Sequence, residues 1–494
     1  MLGCEPLCSR SAKSAYILHF SDIHLKPANE GSTPVLDYGS DPPLELLKTA
    51  LRFAQELKLD PKIFLYTGDS VVHELKDGNT GSKYVSRGPE HLLAVVKDVI
   101  KELYHFDGFK KNTIGITTII GNADSTPNYY MKISDGTTEN PTLGTIAPAW
   151  NGVISKAEKK DLEERGYTSK EIDERLVVLT LNTTPYSGKH DVHNNNPPGD
   201  PFQQFAWLSA KLKQAQENGK FVYICGHIPP VLHVSDGAYQ WKGIYIETYK
   251  TILKQYKAVV KAQIFGHVHG FEIRPFDVPL FTVGAISPVF KGNPTFVVWE
   301  YSKETYEFLD YHVYGSRMAP FDKWEFLFSA TTEYQLKNLS ANEVNRLPEM
   351  FNENPRYFTL YLFNKWAKSS EKAKLNCQLA ECKATVACSF RWDSVIAERH
   401  DCVKKRTAFY ETEKESPLLV QERLRRLLQP ISESSIKKNP DSSITWICAT
   451  IFLAVLLLGL VIFALGRIMR IKALWMRLVK GGKTERAKTM RLIR

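Results

Sequence analysis

Two histidines, His267 and His269, stand two residues apart in the stretch FGHVHG, directly after the apolar run KAVVKAQI. In an extended chain residues i and i+2 face the same way, so the pair could share one ligand, a metal ion above all. A solvated loop would use the same pair, so the polar residues that follow other apolar runs decide its meaning. Asp22 and His24 end AYILHFSDIHL, and Asp69 follows Gly68 in KIFLYTGDSVVHE. Asn122 follows Gly121 in ITTIIGNAD, and His227 follows Gly226 in KFVYICGHIPP. Each alone suits a turn residue, a helix cap or a loop histidine. Five such runs in one order bring two aspartates, an asparagine and four histidines to the ends of five strands. Carboxylate, amide oxygen and imidazole without thiolate suit zinc, manganese or iron, whereas calcium wants mostly oxygen. A catalytic zinc usually takes about three protein ligands, so seven suit two metal ions that share a bridge.

The runs that deliver these residues are short, apolar and rich in β-branched and aromatic residues, as buried strands are. Between them PLELLKTALRFAQEL and EHLLAVVKDVIKELYHF carry the spacing of amphipathic helices. Strands alternating with helices predict a layered α/β fold, whose sites are built at the carboxyl ends of the strands. Periodicity alone allows a single doubly wound sheet.

In this order DIH, GD, GN, GH and GHVH resemble the calcineurin-like metallophosphoesterases. The resemblance implies a four-layer α/β sandwich, two facing sheets flanked by helices, holding two divalent metal ions, zinc foremost. Carried over residue by residue, Asp22, His24 and His269 would hold one ion, Asp69 would bridge, and Asn122, His227 and His267 would hold the other. Longer stretches, among them GDSVVHE, GNADSTPNYY and VGAISPVFKGNPTFVVWEY, are similar to acid sphingomyelinase and its sphingomyelinase-like phosphodiesterase relatives. That group also resembles the endopolyphosphatases, and the similarity covers most of residues 15–402. Two close cations lower the pKa of a water and clamp phosphoryl oxygens for in-line attack on phosphorus. Asp69 and Asn122 would act there with His73, which lies in the family's Gly-Asp-x-x-x-His pattern and reads as the general acid, a role worth about 10²- to 10⁴-fold. One residue departs from the pattern. Sphingomyelinases place a histidine after the GN asparagine, whereas this chain has Ala123, whose methyl neither donates a proton nor neutralises a phosphoryl oxygen. The departure predicts a preference for good leaving groups, so nucleotide-type substrates over sphingomyelin with its alkoxide.

The 494 residues, 43% of them hydrophobic, are ample for a sizeable core. Residues 1–15 read as a leader or a truncated N-terminus, 16–315 as the phosphoesterase domain and 316–402 as a small helical subdomain stapled by disulfides. A stalk over 403–443 leads to the uncharged run ITWICATIFLAVLLLGLVIFALG, residues 444–466. That run exceeds the ~20 residues a helix needs to cross a bilayer and reads as transmembrane. The tail 467–494 holds ten Lys or Arg against one Glu, a net +9 out of the chain's formal net charge of +10. The remainder is near neutral, and no nucleic-acid-binding surface is inferred. Basic flanks prefer the cytoplasm, which sends the catalytic part to a lumen or the cell exterior, and they attract anionic lipid. No signal peptide is visible in MLGCEPLCSRSAKSAYIL.

Cys377, Cys382, Cys388 and Cys402 crowd one segment without Cys-x-x-Cys knuckles, which favours disulfides over zinc. Resemblance to the sphingomyelinase C-terminal subdomain implies the pairs Cys377 with Cys382 and Cys388 with Cys402. Cys225 reads as a buried thiol. Asn182-Thr-Thr and Asn338-Leu-Ser are glycosylation sequons. His190 and His193 read as solvated loop histidines, and Ser340 with Glu343 as a capping box. The favoured function is a membrane-anchored, metal-dependent phosphodiesterase acting on phosphodiester or phosphoanhydride bonds of a small molecule, lipid or polyphosphate. Endopolyphosphatase activity would call for a basic groove, and sphingomyelin hydrolysis for a means of lifting lipid from a bilayer. A catalytically silent receptor or scaffold is opposed by the complete ligand set and kept open by Ala123.

Overall fold

The protein is described by a computed structural model over residues 13–26, 36–73, 89–110, 114–190, 198–234, 237–317, 319–373, 380–390 and 396–412. Contacts divide the chain into residues 1–423 and 424–494, and every described residue belongs to the first unit. The expected membrane span 444–466 and basic tail lie outside the described residues. Among the described residues no helix is long and apolar enough to cross a membrane.

In chain order the strands are β1 (Ser14–Phe20), β2 (Pro61–Tyr66), β3 (Gly115–Ile116), β4 (Thr168–Glu171), β5 (Leu176–Thr180) and β6 (Phe221–Gly226). They continue as β7 (Val260–Phe265), β8 (Glu272–Arg274), β9 (Leu280–Thr282), β10 (Thr295–Ser302), β11 (Phe308–Gly315) and β12 (Glu325–Ser329). Two mixed sheets result, in the orders β12-β11-β10-β1-β2-β3 and β4-β5-β6-β7-β9-β8. β1, β2 and β3 are mutually parallel, as are β5, β6 and β7, so within each sheet the carboxyl ends that carry the polar residues share one edge.

Side-chain alternation builds four layers from these two sheets. Leu18, Phe20, Phe64 and Tyr66 pack outward against helices Leu44–Glu56 and Pro89–Leu103. Their neighbours Ala15, Ile17, Ile63 and Leu65 face inward and meet Val178, Tyr223, Cys225, Ala262 and Ile264 of the second sheet. Val177, Leu179, Val222 and Ile224 cover that sheet's far side under helices Gln204–Glu217 and Gly243–Tyr256. The helix Leu44–Glu56 buries Leu46, Leu47, Ala50, Leu51 and Ala54, one stripe at helical spacing. The facing-sheet architecture therefore holds, and the single wound sheet that periodicity allowed does not.

The boundary expected at 315 falls inside a sheet, because β12 pairs with β11 beyond it. The helical segment then shares the core between the sheets through Phe351, Phe358, Tyr361 and Phe390. Buried Glu272 in β8 ties it down, bonding Arg274 at 2.5 Å and Lys365 of helix Pro355–Lys365 at 2.6 Å. Helix Ile396–Thr412 runs through the boundary expected at 402. Cys388 and Cys402 are disulfide-bonded as expected, whereas the pairing of Cys377 with Cys382 rests on Cys377, which lies outside the described residues. Cys225 is a buried free thiol.

Three local readings are corrected. Asn182 is fully buried, its amide donating to the Arg165 carbonyl at 3.1 Å, so the folded chain has no room for a glycan there. Asn338 is half-buried, and glycosylation there remains a proposal. His190 is buried rather than solvated, with Nε2 2.8 Å from the Met131 carbonyl and its ring stacked on Tyr130; His193 lies outside the described residues. Ser340 forms no capping box, because the Glu343 carboxylate is taken by the Lys337 N–H and by Arg346.

Candidate metal centre

After β1, β2 and β7 the chain turns sharply. Asp22, His24, Asp69, His267 and His269 have φ values of 50°, 48°, 58°, 69° and 52°. A left-handed backbone is costly for residues with a Cβ, and here it clusters where side chains must converge on one point. Gly121 makes the convergence possible, since a Cβ on it would strike the Asp69 carboxylate.

All seven residues singled out in the sequence come together, with His73 beside them. Asp69 Oδ2 sits between the two halves, 3.4 Å from His24 Nε2 and 3.1 Å from His227 Nε2. On one side His269 Nε2 lies 3.3 Å from Asp22 Oδ1 and 3.1 Å from His24 Nε2. On the other, His227 Nε2 lies 3.1 Å from Asn122 Oδ1, and His267 groups with Asp69 and His227 at ligating distance. The Asn122 amide nitrogen donates to Asn128 Oδ1 at 2.9 Å, which turns the carbonyl oxygen towards the site.

The donor chemistry tests whether cations fit. His227 Nδ1 lies 2.8 Å from the Thr67 carbonyl and His24 Nδ1 2.7 Å from the Val71 carbonyl, so both Nδ1 atoms carry hydrogen. In the neutral rings Nε2 is then a bare lone pair, and that of His227 faces two acceptor oxygens, Asp69 Oδ2 and Asn122 Oδ1. Only a proton or a cation reconciles three lone pairs at such distances, and a backbone carbonyl on the far nitrogen is how metal-ligating histidines are oriented. Electrostatics agree. Burial opposes a charge on His227, but Asp69 overcomes it and raises the ring to about 9, so a proton takes the cation's place when no metal is bound. Burial likewise opposes ionisation of Asp22 and Asp69, yet His269 and His227 respectively hold both carboxyls well below their usual range. His24 is pushed by burial to about 3 and stays neutral.

The comparisons with known proteins agree with this cluster. A sequence model of the calcineurin-like phosphoesterase family matches residues 15–271, just over half of the chain. The chain belongs to the calcineurin-like phosphoesterases. It is a metal-dependent hydrolase of phosphoric esters, and its Asp and His cluster fits the family's dinuclear centre. The phosphoesterase is 29% identical to sphingomyelinase phosphodiesterase D of Dictyostelium discoideum, over 66% of this chain and 73% of that one. It is 25% identical to mouse acid sphingomyelinase-like phosphodiesterase 3b, over 66% and 77%. With the bovine cyclic GMP-AMP phosphodiesterase SMPDL3A the identity is 22%, over 78% and 90%. The resemblance to the sphingomyelinase-like phosphodiesterases thus extends through most of the described residues.

Several residues of the phosphoesterase's site escaped the sequence reading. Asp41 binds His73 twice, accepting from its backbone N–H at 2.7 Å and lying 3.0 Å from Nδ1. Burial works against the Asp41 charge, but His73 offsets it and leaves the carboxyl at about 2. In turn, burial opposes a charge on His73, but Asp41, with Asp69 and Asp22 behind it, outweighs burial and raises the ring above its ordinary value. His73 stacks on His24 at 3.7 Å, with the exposed ring of Phe290 against it at 5.2 Å. Asp124 accepts from the backbone N–H groups of Asp69, Ser70 and Gly121 and so pins the β2 and β3 loops together. Gln240 Oε1 lies 3.1 Å from His267 Nε2. Ala123 is buried, and its contribution is a backbone N–H donated to Asp69 Oδ1 at 2.7 Å.

Proposed function

We propose that the phosphoesterase is a membrane-anchored phosphodiesterase that prefers nucleotide-type diesters and phosphoanhydrides to sphingomyelin. Its ligands would be Asp22, His24 and His269 for one ion, Asn122, His227 and His267 for the other, with Asp69 shared. A pair of divalent cations, zinc before manganese or iron, would supply charge neutralisation at phosphoryl oxygens and an activated water. The chain's own residues do the rest. Asp41 takes the Nδ1–H of His73 and fixes the ring, leaving Nε2–H to protonate the oxygen that departs as the P–O bond breaks. Asn128 keeps the Asn122 oxygen aimed inward, and Asp124 keeps Asp69 in place between the halves.

The observation that carries the substrate preference is Ala123 itself, which offers Asp69 only a backbone N–H and whose buried methyl cannot serve as a second proton donor. Leaving oxygens of low basicity, such as a pyrophosphoryl group, need protonation least. A relative described as a cyclic GMP-AMP phosphodiesterase supports the nucleotide reading. For location, the uncharged run 444–466 and the basic residues after it support a single pass with the tail cytoplasmic. The Cys388–Cys402 disulfide supports a lumenal or extracellular catalytic part.

The test is a comparison of initial rates of the full chain on sphingomyelin, ATP, a nucleotide diester and polyphosphate, with Asp69→Asn as blank. Turnover of ATP or the diester well above sphingomyelin is expected, and sphingomyelin leading would overturn the preference. Metal-loaded protein no faster than the blank on all four would point to a silent receptor.

A further inference from the structure

Behind the metal centre a chain of four buried hydrogen bonds ends on Asp22. It begins in β10 at Trp299, whose indole Nε1–H donates to His19 Nδ1 at 3.1 Å. An indole nitrogen only donates, so His19 Nδ1 accepts and the ring's hydrogen sits on Nε2. Burial pushes His19 down to about 3, which keeps the ring neutral with that one N–H. Nε2 lies 2.9 Å from Thr67 Oγ1 and donates to it. The Thr67 hydroxyl donates to Ser21 Oγ at 2.6 Å, and the Ser21 hydroxyl to Asp22 Oδ2. One donor-only group thus fixes the direction of every hydrogen along a path joining β10, β1 and the β2 loop. Trp299, His19, Thr67 and Ser21 are all at most 1% exposed, so water does not compete for any of these bonds.

We infer that Trp299, His19, Thr67 and Ser21 form a directional relay that positions Asp22 for its metal ion. The relay supplies a hydrogen to Oδ2 and turns Oδ1 towards His269 Nε2, 3.3 Å away, while the His267 N–H holds both oxygens at 3.0 and 3.1 Å. Two further observations support it. Gly266, the first residue of GHVH, is shaped by the relay: a Cβ there would stand 2.7 Å from Asp22 Oδ2 and 3.2 Å from Thr67 Oγ1 and would strike Ser21 Oγ. Thr67 also lends its carbonyl to His227 Nδ1, so one residue orients ligands in both halves of the centre.

The inference rests on the metal-centre reading, and the experiment separates the two. Full-length wild type, Ser21→Ala, Thr67→Ser and Trp299→Phe are titrated with Zn²⁺ against a chelator, and the affinity of each bound equivalent is read without substrate. Removing an outer partner of a metal ligand typically costs about 10- to 100-fold in affinity. Ser21→Ala should lose that factor at one equivalent and leave the other unchanged. Trp299→Phe, which touches no ligand, should weaken the same equivalent by less, and Thr67→Ser, which keeps the hydroxyl, should match wild type. A purely packing role would lower the melting temperature of Trp299→Phe and leave its zinc affinity alone, which overturns the relay. Wild-type affinity in Ser21→Ala overturns it too, with the metal centre intact. A wild-type chain that binds no pair of zinc ions overturns both.

Discussion

Replacing Asp124 by asparagine or alanine grades the support beneath Asp69. Asp124 Oδ2 accepts from the N–H groups of Asp69 and Gly121, both at 2.9 Å, and Oδ1 accepts from the Ser70 N–H at 2.7 Å. An asparagine can keep its oxygen on the side with two donors, which turns its NH₂ towards the Ser70 N–H. One buried donor then loses its acceptor, a cost of about 1–3 kcal/mol. Alanine strands all three donors, and three such penalties set a ceiling of roughly 3–9 kcal/mol. Relaxation of the two loops, and relief from burying a carboxyl beside the charge of Asp69, bring this to about 3–5 kcal/mol. Urea unfolding of the metal-free protein measures both steps. Asn should lie between wild type and Ala, and its folded fraction should show reduced kcat/KM because Asp69 is less firmly held. Equal stabilities for Asn and Ala, or both within about 0.5 kcal/mol of wild type, would refute the assignment of Asp124 as the clamp between the loops.

Other outcomes follow from the same geometry. His73→Ala should slow hydrolysis of an alkoxide-leaving diester by about 10²- to 10⁴-fold and of ATP by much less, and unchanged turnover on both would remove His73 as general acid. His227 is raised to about 9, so at pH 7 it carries a proton that a metal must displace. Calorimetry in two buffers of different ionisation enthalpy should show proton release on Zn²⁺ binding that fades above pH 9, and no release at pH 7 would contradict the arrangement. Burial would raise Glu272, but Arg274 and Lys365 hold it at about 2 against an ordinary 4.5, which corresponds to about 3 kcal/mol of stability. That stability is full above pH 4.5 and is lost as pH falls towards 2, so a Glu272→Gln variant should be destabilised at pH 7 and lack this acid-side loss in urea titrations.

The metal ligands were legible because each follows its strand by only a few residues, so chain order alone delivers it to the sheet edge. Their supports were not. Asp41 meets His73 from 32 residues away, and Trp299 meets His19 from 280, distances over which local patterns carry no information. Asp124 stands two residues after Asn122, but nothing in the run itself marks its carboxylate as the acceptor for N–H groups of the β2 loop. Motifs defined by chemistry alone misled where burial decides, as at Asn182, whose sequon is complete and whose side chain is inaccessible. The capping box at Ser340 failed for a similar reason, its Glu343 being drawn to other donors. Facing sheets came from resemblance, since alternation along a strand does not say what covers either face. Within residues 316–402, read as helical, the strand β12 went unnoticed because it is only five residues long.

The most direct measurement is a titration of metal-free full-length protein with Zn²⁺, following bound equivalents and hydrolysis of a nucleotide diester in the same samples. Activity should be absent without metal, rise only as the second equivalent binds, and stay absent in Asp69→Asn at every ratio. Full activity with one equivalent or none, or two bound equivalents with no hydrolysis of any phosphodiester or phosphoanhydride, would contradict the dinuclear phosphodiesterase.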